Sequence, residues 1–511
     1  DFSNLLTTGI ERIEVVRGPQ SALWGSDAMA GVVHIITKPQ ADDSSSSGRL
    51  TVEGGSFGTG RAEASWRYRT DKASGKVSLG WLDTDGTNIA RTGSEDDGYE
   101  NSTLSVVGAV NINQALEVSY NLRLADTRTE FDKTEMGLQA DADHHTAAEY
   151  IYGGARLSHQ INDRLSHSLQ VAKTDTDNNT DEGTAVKGIT RGEKTAARYQ
   201  FNVLGERHRL SLLAEHEDER FAQRGLVQPF GDPNHNRSLT TNSLAAEYRL
   251  DGDGLDLSIS ARQDANSDFK DALSWRATAS WRLADDTRLI ASAGRSVKNP
   301  TFSERFGSFT NFVGNPDLRP EKSLGYELGI RQALFGDRLN TSLTWFAADL
   351  TDEINGFFCP GDFDDPCTAD NKNDKSERTG AELEVSWLAS DQLEVRGHYT
   401  YLDATEEGAG GKEVDELRRP VHSGALSGVY RFDKGEVELS ASITGEQEDI
   451  FFPERVTLDG FALVSLSGYY ALNQRLAITL RLENLLDEDY EQVYSYASPG
   501  FGGYLGLRAS W

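Results

Sequence analysis

Between Leu273 and Leu283, the residues Leu273, Trp275, Ala277, Ala279, Trp281 and Leu283 fall on one side of an extended chain, and Ser274, Arg276, Thr278, Ser280 and Arg282 fall on the other. One face suits lipid and the other suits water. The same alternation recurs at Arg61–Tyr68, Leu116–Leu124, Leu210–Glu217, Leu324–Arg331, Leu339–Ala347, Leu393–Leu402, Val437–Thr444 and Leu476–Leu485. It returns at Gly502–Trp511, where the sequence stops on an aromatic residue. About 22 such segments, most of them roughly 10 residues or longer, follow one another from Gly48 onward.

Connections alternate in length as well. Short links at Asp71–Gly75, Asn111–Gln114, Ile161–Asp163, Leu283–Asp286, Phe335–Asp337, Asp433–Gly435 and Leu472–Gln474 interleave with long ones. The long ones are expected at Asp83–Tyr99, Asp126–Ala148, Asp175–Arg191, Gln223–Asn242, Val297–Lys322, Asn355–Ser376, Asp403–Pro420 and Glu446–Asp459. Barrels of outer membranes place short turns on the periplasmic side and long loops outside. Lipid offers no partner for a backbone amide, so strands in it must close on themselves. The pattern predicts an all-β transmembrane protein, an antiparallel barrel of about 22 strands over residues 48–511. A lumen that wide is plugged in outer-membrane transporters.

Residues 1–39 supply a candidate plug. Ile10–Val16 reads as a strand, Arg17-Gly18-Pro19 breaks it, Ser21–Gly25 turns, and Gly31–Thr37 reads as a second strand. A polar link at residues 40–47, with serines from Ser44 to Ser47, leads to the barrel. Asp1 falls inside what reads as an existing domain, so the chain is expected to be a mature fragment that lacks its start.

Composition changes the picture in two ways. Only 37% of the 511 residues are hydrophobic, which by hydropathy alone suggests a soluble protein; strands that show lipid every second residue remove that inference. The formal charge of -30 argues against nucleic acid, whose phosphates require Lys and Arg. Acidic runs such as Asp83–Asp85, Glu95–Asp97, Asp362–Asp365 and Glu488-Asp489 are either solvated loop surface or sites for divalent cations. The only two cysteines, Cys359 and Cys367, sit in one Pro- and Asp-rich loop with no histidine nearby, which predicts a disulfide in an oxidising compartment. There is no nucleophile motif, phosphate loop or HExxH, and the sequence reads as a non-enzyme without a covalent cofactor.

The run from Ile13 to Thr37, with Arg17, Gly18, Pro19, Gly25 and Gly31, resembles the C-terminal part of the plug of TonB-dependent outer-membrane receptors. Gly314–Ser323 resembles that family's mid-barrel signature, and Glu483–Tyr490 resembles its C-terminal signature. The resemblance implies a transporter in the outer membrane of a Gram-negative bacterium. Its partners would be a small-molecule metal chelate, the membrane lipids and the inner-membrane TonB/ExbB/ExbD complex, which pulls an N-terminal box; the receptor itself would be a monomer. Without that box and the first part of the plug, the fragment is expected not to transport actively and to leave its lumen partly open. Arg17 would tie the plug either to acidic lumen residues or to its own carboxylates.

Within the family, the sequence is most similar to cobalamin receptors, through Asp489–Tyr496, the short connection Asn266–Lys270 and the plug stretch Gly25–Ala28. Those receptors bind calcium through aspartates in two outer loops, which implies Asp126, Asp132, Asp141 and Asp143 in one and Asp175, Asp177 and Asp181 in the other. A ferric siderophore or haem receptor is the other expectation, with His144-His145 as iron or zinc ligands or as plain surface. Phe302, Phe306, Phe309, Phe312, Phe357 and Phe358 either stack on a ligand or form an interfacial girdle; Phe306, Phe312, Tyr494 and Tyr496 are the candidate contacts. A passive porin, the remaining class, would lack the plug signature.

Overall fold

A computed structural model describes residues 4–37, 46–91, 93–135, 138–183, 186–227, 229–309, 311–359, 366–372, 375–407, 412–451 and 454–511. Among them, 22 antiparallel strands form one closed barrel. Each strand pairs with its sequence neighbour, and the first, Ser46–Gly55, closes the ring against the last, Gly502–Ser510, in the register Arg49↔Ser510 to Gly55↔Tyr504. Trp511 completes the seam, its amide donating to Gly48 O at 3.1 Å while Gly48 N donates back to Trp511 O at 2.9 Å. No helix among the described residues is long and apolar enough to cross a membrane; the strands make the crossing.

The side-chain period of two decides what each wall faces. On the strand Ala272–Ala284, Leu273, Trp281 and Leu283 are exposed on the outside, whereas Ser274 is buried toward the lumen. The same inversion holds for the whole molecule. Its largest fully buried side chains are Arg262, Asn101, Thr127 and Asp449, polar groups packed against a plug or against loops. The lipid-facing wall is where the apolar surface goes.

Three expectations are corrected. The barrel begins at Ser46, so Ser46 and Ser47 belong to its first strand; residues 40–45 of the expected link lie outside the described residues. The acidic run Asp362–Asp365 lies outside them too. The stretches Asp126–Ala148 and Asp175–Arg191 are not long loops. The strands Leu116–Glu135 and Leu138–Asn162 stay paired out to Glu135↔Leu138, and Leu165–Asp181 stays paired with Gly188–Leu204 out to Thr180↔Gly188. Antiparallel pairing does not stop at the membrane boundary, because the Thr, Asn and Asp residues there keep the ladder hydrogen-bonded while their side chains meet water.

Inside the barrel, Arg12–Arg17 and Gly31–Ile36 form an antiparallel hairpin from Arg12↔Ile36 to Arg17↔Gly31, joined through a single helical turn at Ser21–Trp24. Gly31 lets the hairpin close, since a Cβ there would stand 2.6 Å from Val16 O. A short stretch, Asn4–Gly9, runs along the opposite wall.

Candidate functional site

Two groups of contacts hold the plug in the lumen. On one side Arg17 Nη1 donates to Glu382 Oε2 at 2.8 Å and to Glu384 Oε1 at 2.6 Å, carboxylates two residues apart on the lumen face of the strand Ser376–Leu388. Of the two pairings open to Arg17, the structure forms the one with the barrel. Pro19 sits over Gly294 and Gly325, which face each other on paired strands; a Cβ on either would stand 3.2 or 2.8 Å from its ring. Arg276 Nη1 donates to Pro19 O at 2.8 Å, while its Nη2 bonds Glu327 at 2.8 Å. On the other side, Asn101 donates to Asn4 O at 3.1 Å, Asn4 to Tyr150 Oη at 2.8 Å, and buried Arg123 to Leu6 O at 2.9 Å.

Gly18 has φ of +74°, and a Cβ there would lie 2.0 Å from Glu327 Oε1. Gly18→Ala is therefore expected to weaken plug docking by roughly 1–3 kcal/mol through backbone strain alone, and to push Glu327 off Arg276. Protease sensitivity of the plug segment checks this; wild-type resistance in the variant would contradict it.

Gly25 rests against Arg262, the most buried cation of the lumen. Arg198, Glu215, Ser243 and Asp264 stand directly opposite one another across four adjacent strands. Arg262 gathers this row: Nη2 donates to Glu215 Oε1 at 2.7 Å and to Ser243 Oγ at 2.8 Å, and Nε donates to Asp264 Oδ1 at 2.7 Å. Sequence reasoning missed the row because its members are far apart in the chain. Opposite charges on the inward parity of neighbouring strands are the signal that marks such rows.

At the outer mouth the aromatics divide. A short helix, Phe302–Phe306, opens with a capping box in which Thr301 Oγ1 accepts from Glu304 N and Glu304 accepts from Thr301 N. It presents Phe306 between two guanidinium groups, Arg237 and Arg305, each 4.6 Å from the ring centroid, and Arg305 also covers Phe269 at 4.7 Å. Phe302 stacks on Phe221. Phe312 is not an open contact: at 8% exposure it packs with Leu318, Cys367 and Ala369 in a small core shared by two loops. Burial removes it from the candidate contacts. Phe309, Phe357 and Phe358 remain exposed.

The Cys359–Cys367 disulfide is formed beside that core, and Val313 N donates to Cys367 O at 2.9 Å, so one covalent link steadies both loops. Tyr494 is held by its amide, which donates to Asp449 at 2.8 Å, and its ring faces Phe451; Tyr496 stays partly exposed. Asp449, with no exposed surface, also accepts from Arg418 at 2.9 Å and from Ile450 N at 2.8 Å, tying three outer loops together.

The acidic residues converge, but not as expected. Only Asp132 of the named aspartates joins a group that could hold a cation, and its partners are Glu95 and Asp97, carboxylate oxygens all within 4.8 Å of one another. Ala90 N and Ala142 N orient Asp132 at 3.0 and 2.7 Å, and Asp141 flanks the cluster by accepting from Ser94 N at 3.2 Å. Asp175, Asp177 and Asp181 pair instead with Lys173, Arg191 and Lys187. Asp126 lies on a paired strand opposite Glu149, and Asp143 is exposed. The strand extension described above spreads these residues along the wall, because same-face neighbours two positions apart on a strand stand roughly 7 Å from each other. His144 and His145 do not converge, because successive side chains of a strand point to opposite faces: they stand opposite Phe131 and Glu130.

Burial, followed by the charges of Asp97, Asp132, Asp141 and Glu130, pushes the Glu95 carboxyl up to about 7. Its value in the folded chain exceeds the ordinary 4.5. Stability from the neutral form is therefore complete below that ordinary value and lost as pH rises through about 7. In the absence of divalent cations, the loop around Glu95 should show more hydrogen-exchange protection, corrected for intrinsic rates, at about pH 5.5 than at about pH 8.5. Glu95→Gln should abolish the difference.

The family model described as the TonB-dependent receptor-like β-barrel matches residues 50–485, and that for the TonB-dependent receptor plug domain matches residues 1–32. The vitamin B12 transporter BtuB of Photobacterium profundum is 26% identical over 97% of this chain and 79% of its own length. That of Vibrio vulnificus (strain YJ016) is 25% identical over 98% and 78%. Among solved structures, the siderophore receptor PirA from Acinetobacter baumannii superposes with a TM-score of 0.83 at 18% identity, covering 98% of this chain and 85% of that one. The ferric-catecholate import receptor Fiu from Escherichia coli K12 superposes at 0.80 and 16% identity, covering 98% and 86%. With barrel, plug and their contacts in place, the chain belongs to the TonB-dependent receptors of the Gram-negative outer membrane, transporters that take up a small-molecule substrate with energy coupled through TonB.

Proposed function

We propose that this receptor takes up cobalamin. The observation that carries the proposal is the similarity in sequence to B12 transporters along 97% of the chain, whereas the likeness to siderophore receptors rests on fold. The mouth suits a bulky, partly apolar ligand: it offers Phe309, Phe357, Phe358 and Tyr496 as exposed rings on loops fixed by the disulfide and by Asp449. A calcium ion at Glu95, Asp97 and Asp132 would brace the loop that bridges to Tyr496 through Ala90; these hard oxygen donors suit that ion. The receptor acts as a monomer, energised by the TonB/ExbB/ExbD complex.

One observation favours a second reading. The Arg237–Phe306–Arg305–Phe269 stack combines cationic and aromatic surface, the chemistry that receives an anionic aromatic iron chelate. Equilibrium binding of cyanocobalamin, with and without calcium, set against haem and a panel of ferric siderophores, separates the two. Cobalamin binding strengthened by calcium is the expected result. Binding of an iron chelate alone would replace cobalamin and leave the family assignment intact.

A further inference from the structure

At the opposite end of the barrel, two histidines meet. His159 and His167 lie on the paired strands Leu138–Asn162 and Leu165–Asp181, directly across from each other, with His159 Nδ1 and His167 Nε2 3.0 Å apart. Leu157 and Leu169, two residues away on the same faces, are exposed on the lipid-facing wall, so the pair stands on the outer surface near the short turn at Asp163-Arg164. That turn is fixed: Asn162 Oδ1 accepts from Arg164 N at 2.9 Å and from Leu165 N at 3.1 Å. On the lumen side of the same turn a polar cavity of about 310 Å³ opens, lined by Asn113, Gln160, Ser166 and Asn202 together with both histidine residues.

We infer that His159 and His167 form a two-imidazole site for a divalent transition-metal ion, such as Zn2+, Cu2+ or Ni2+, on the periplasmic rim of the barrel. Imidazole nitrogens bind such ions at about 2.0–2.1 Å, so two of them on one ion stand roughly 2.9–3.3 Å apart for angles between square and tetrahedral. The observed separation lies in that interval, and the ion replaces the proton shared between the rings. His167 Nδ1 stands 3.3 Å from Tyr199 Oη. The tautomer in which Nδ1–H donates to that hydroxyl leaves the Nε2 lone pair directed at His159, which makes Tyr199 a positioning residue. Solvent at the exposed turn beside the pair supplies the remaining ligands.

Two other histidines on the outer wall meet tyrosines rather than a second imidazole: His208 lies 2.6 Å from Tyr248 Oη, and His422 lies 2.7 Å from Tyr399 Oη and packs against Tyr401. Two imidazoles share one ion's reach only at His159 and His167 among the described residues. A link between neighbouring strands beside their turn would fasten the wall at its periplasmic edge.

The test uses the purified receptor in detergent, without a polyhistidine tag. Titration calorimetry with Zn2+ in excess Ca2+, which fills the carboxylate group at Glu95, Asp97 and Asp132, should give one equivalent bound, lost in His159→Ala and in His167→Ala, unchanged in His208→Ala, and weakened about tenfold in Tyr199→Phe. Paramagnetic resonance of bound Cu2+ should show two imidazole nitrogens in wild type and one in either alanine variant. Absence of Zn2+ binding, binding that survives in the double alanine variant, or a single-nitrogen Cu2+ spectrum in wild type would each overturn the inference.

Discussion

Arg262→Ala is expected to destabilise the folded receptor by about 3–5 kcal/mol, the largest single-residue effect in the lumen. Arg262 and Glu215 side chains are each 2% exposed, and Arg262 is shared by Glu215, Asp264 and Ser243. Removing the cation leaves Asp264 without its arginine and Glu215 with Arg198 alone, in a place where water cannot replace it. The deletion also takes away the surface on which Gly25 of the plug rests, so the plug should loosen as the wall does. Urea titration in detergent, followed by the heat-modifiable electrophoretic mobility of the barrel, measures the loss. Adding Glu215→Gln to Arg262→Met should restore part of it, because the buried anion goes with its partner. A loss under about 1 kcal/mol would mean that water reaches the row and screens it.

The second large effect is expected from the double variant Cys359→Ser/Cys367→Ser, which should weaken ligand binding by one to two orders of magnitude while the barrel stays folded. The bond closes a ring with a sequence separation of 8. In the chain-entropy account, a ring that short contributes about 2.5 kcal/mol to the ordered loop. If the ligand must supply that order itself, its affinity falls by up to roughly 70-fold. The loops keep other ties, among them Asn315 Nδ2 donating to Ala369 O at 3.1 Å and Asn371 Nδ2 donating to Arg319 O at 2.9 Å, so the full loss is an upper bound. The dissociation constant of the ligand identified by the binding panel, together with hydrogen exchange of residues 311–318, checks the prediction. Unchanged affinity with unchanged protection would show that the loops hold their shape without the bond.

The alternation at Leu273–Leu283 and its repeats gave away the barrel because side-chain direction in a strand is local: it depends on residue parity and needs no knowledge of partners. The plug hairpin was legible for a similar reason, through Arg17-Gly18-Pro19 and Gly31. The carboxylate group was not. Glu95 lies in a connection, Asp97 opens the strand that follows it and Asp132 belongs to the next paired strand, and they meet only because these neighbouring strands run on past the membrane. Phe312 shows the opposite failure, an aromatic loop residue that a ligand was expected to reach and that the disulfide loop covers instead.

Parity and turn lengths alone therefore fixed the closed cylinder and its lipid and water faces, since these follow from neighbours in the chain, whereas the plug rested on the width of the lumen and the family resemblance, and the disulfide on two cysteines sharing one loop. Register and loop packing decided the rest: which carboxylates share a cation-sized space, which rings stay open, and that Arg198, Glu215, Ser243 and Asp264 stand in one row around Arg262. The physical reason is that a row across strands is set by how the strands slide past one another during closure, and a slip of a single residue would turn every one of these side chains to the opposite wall.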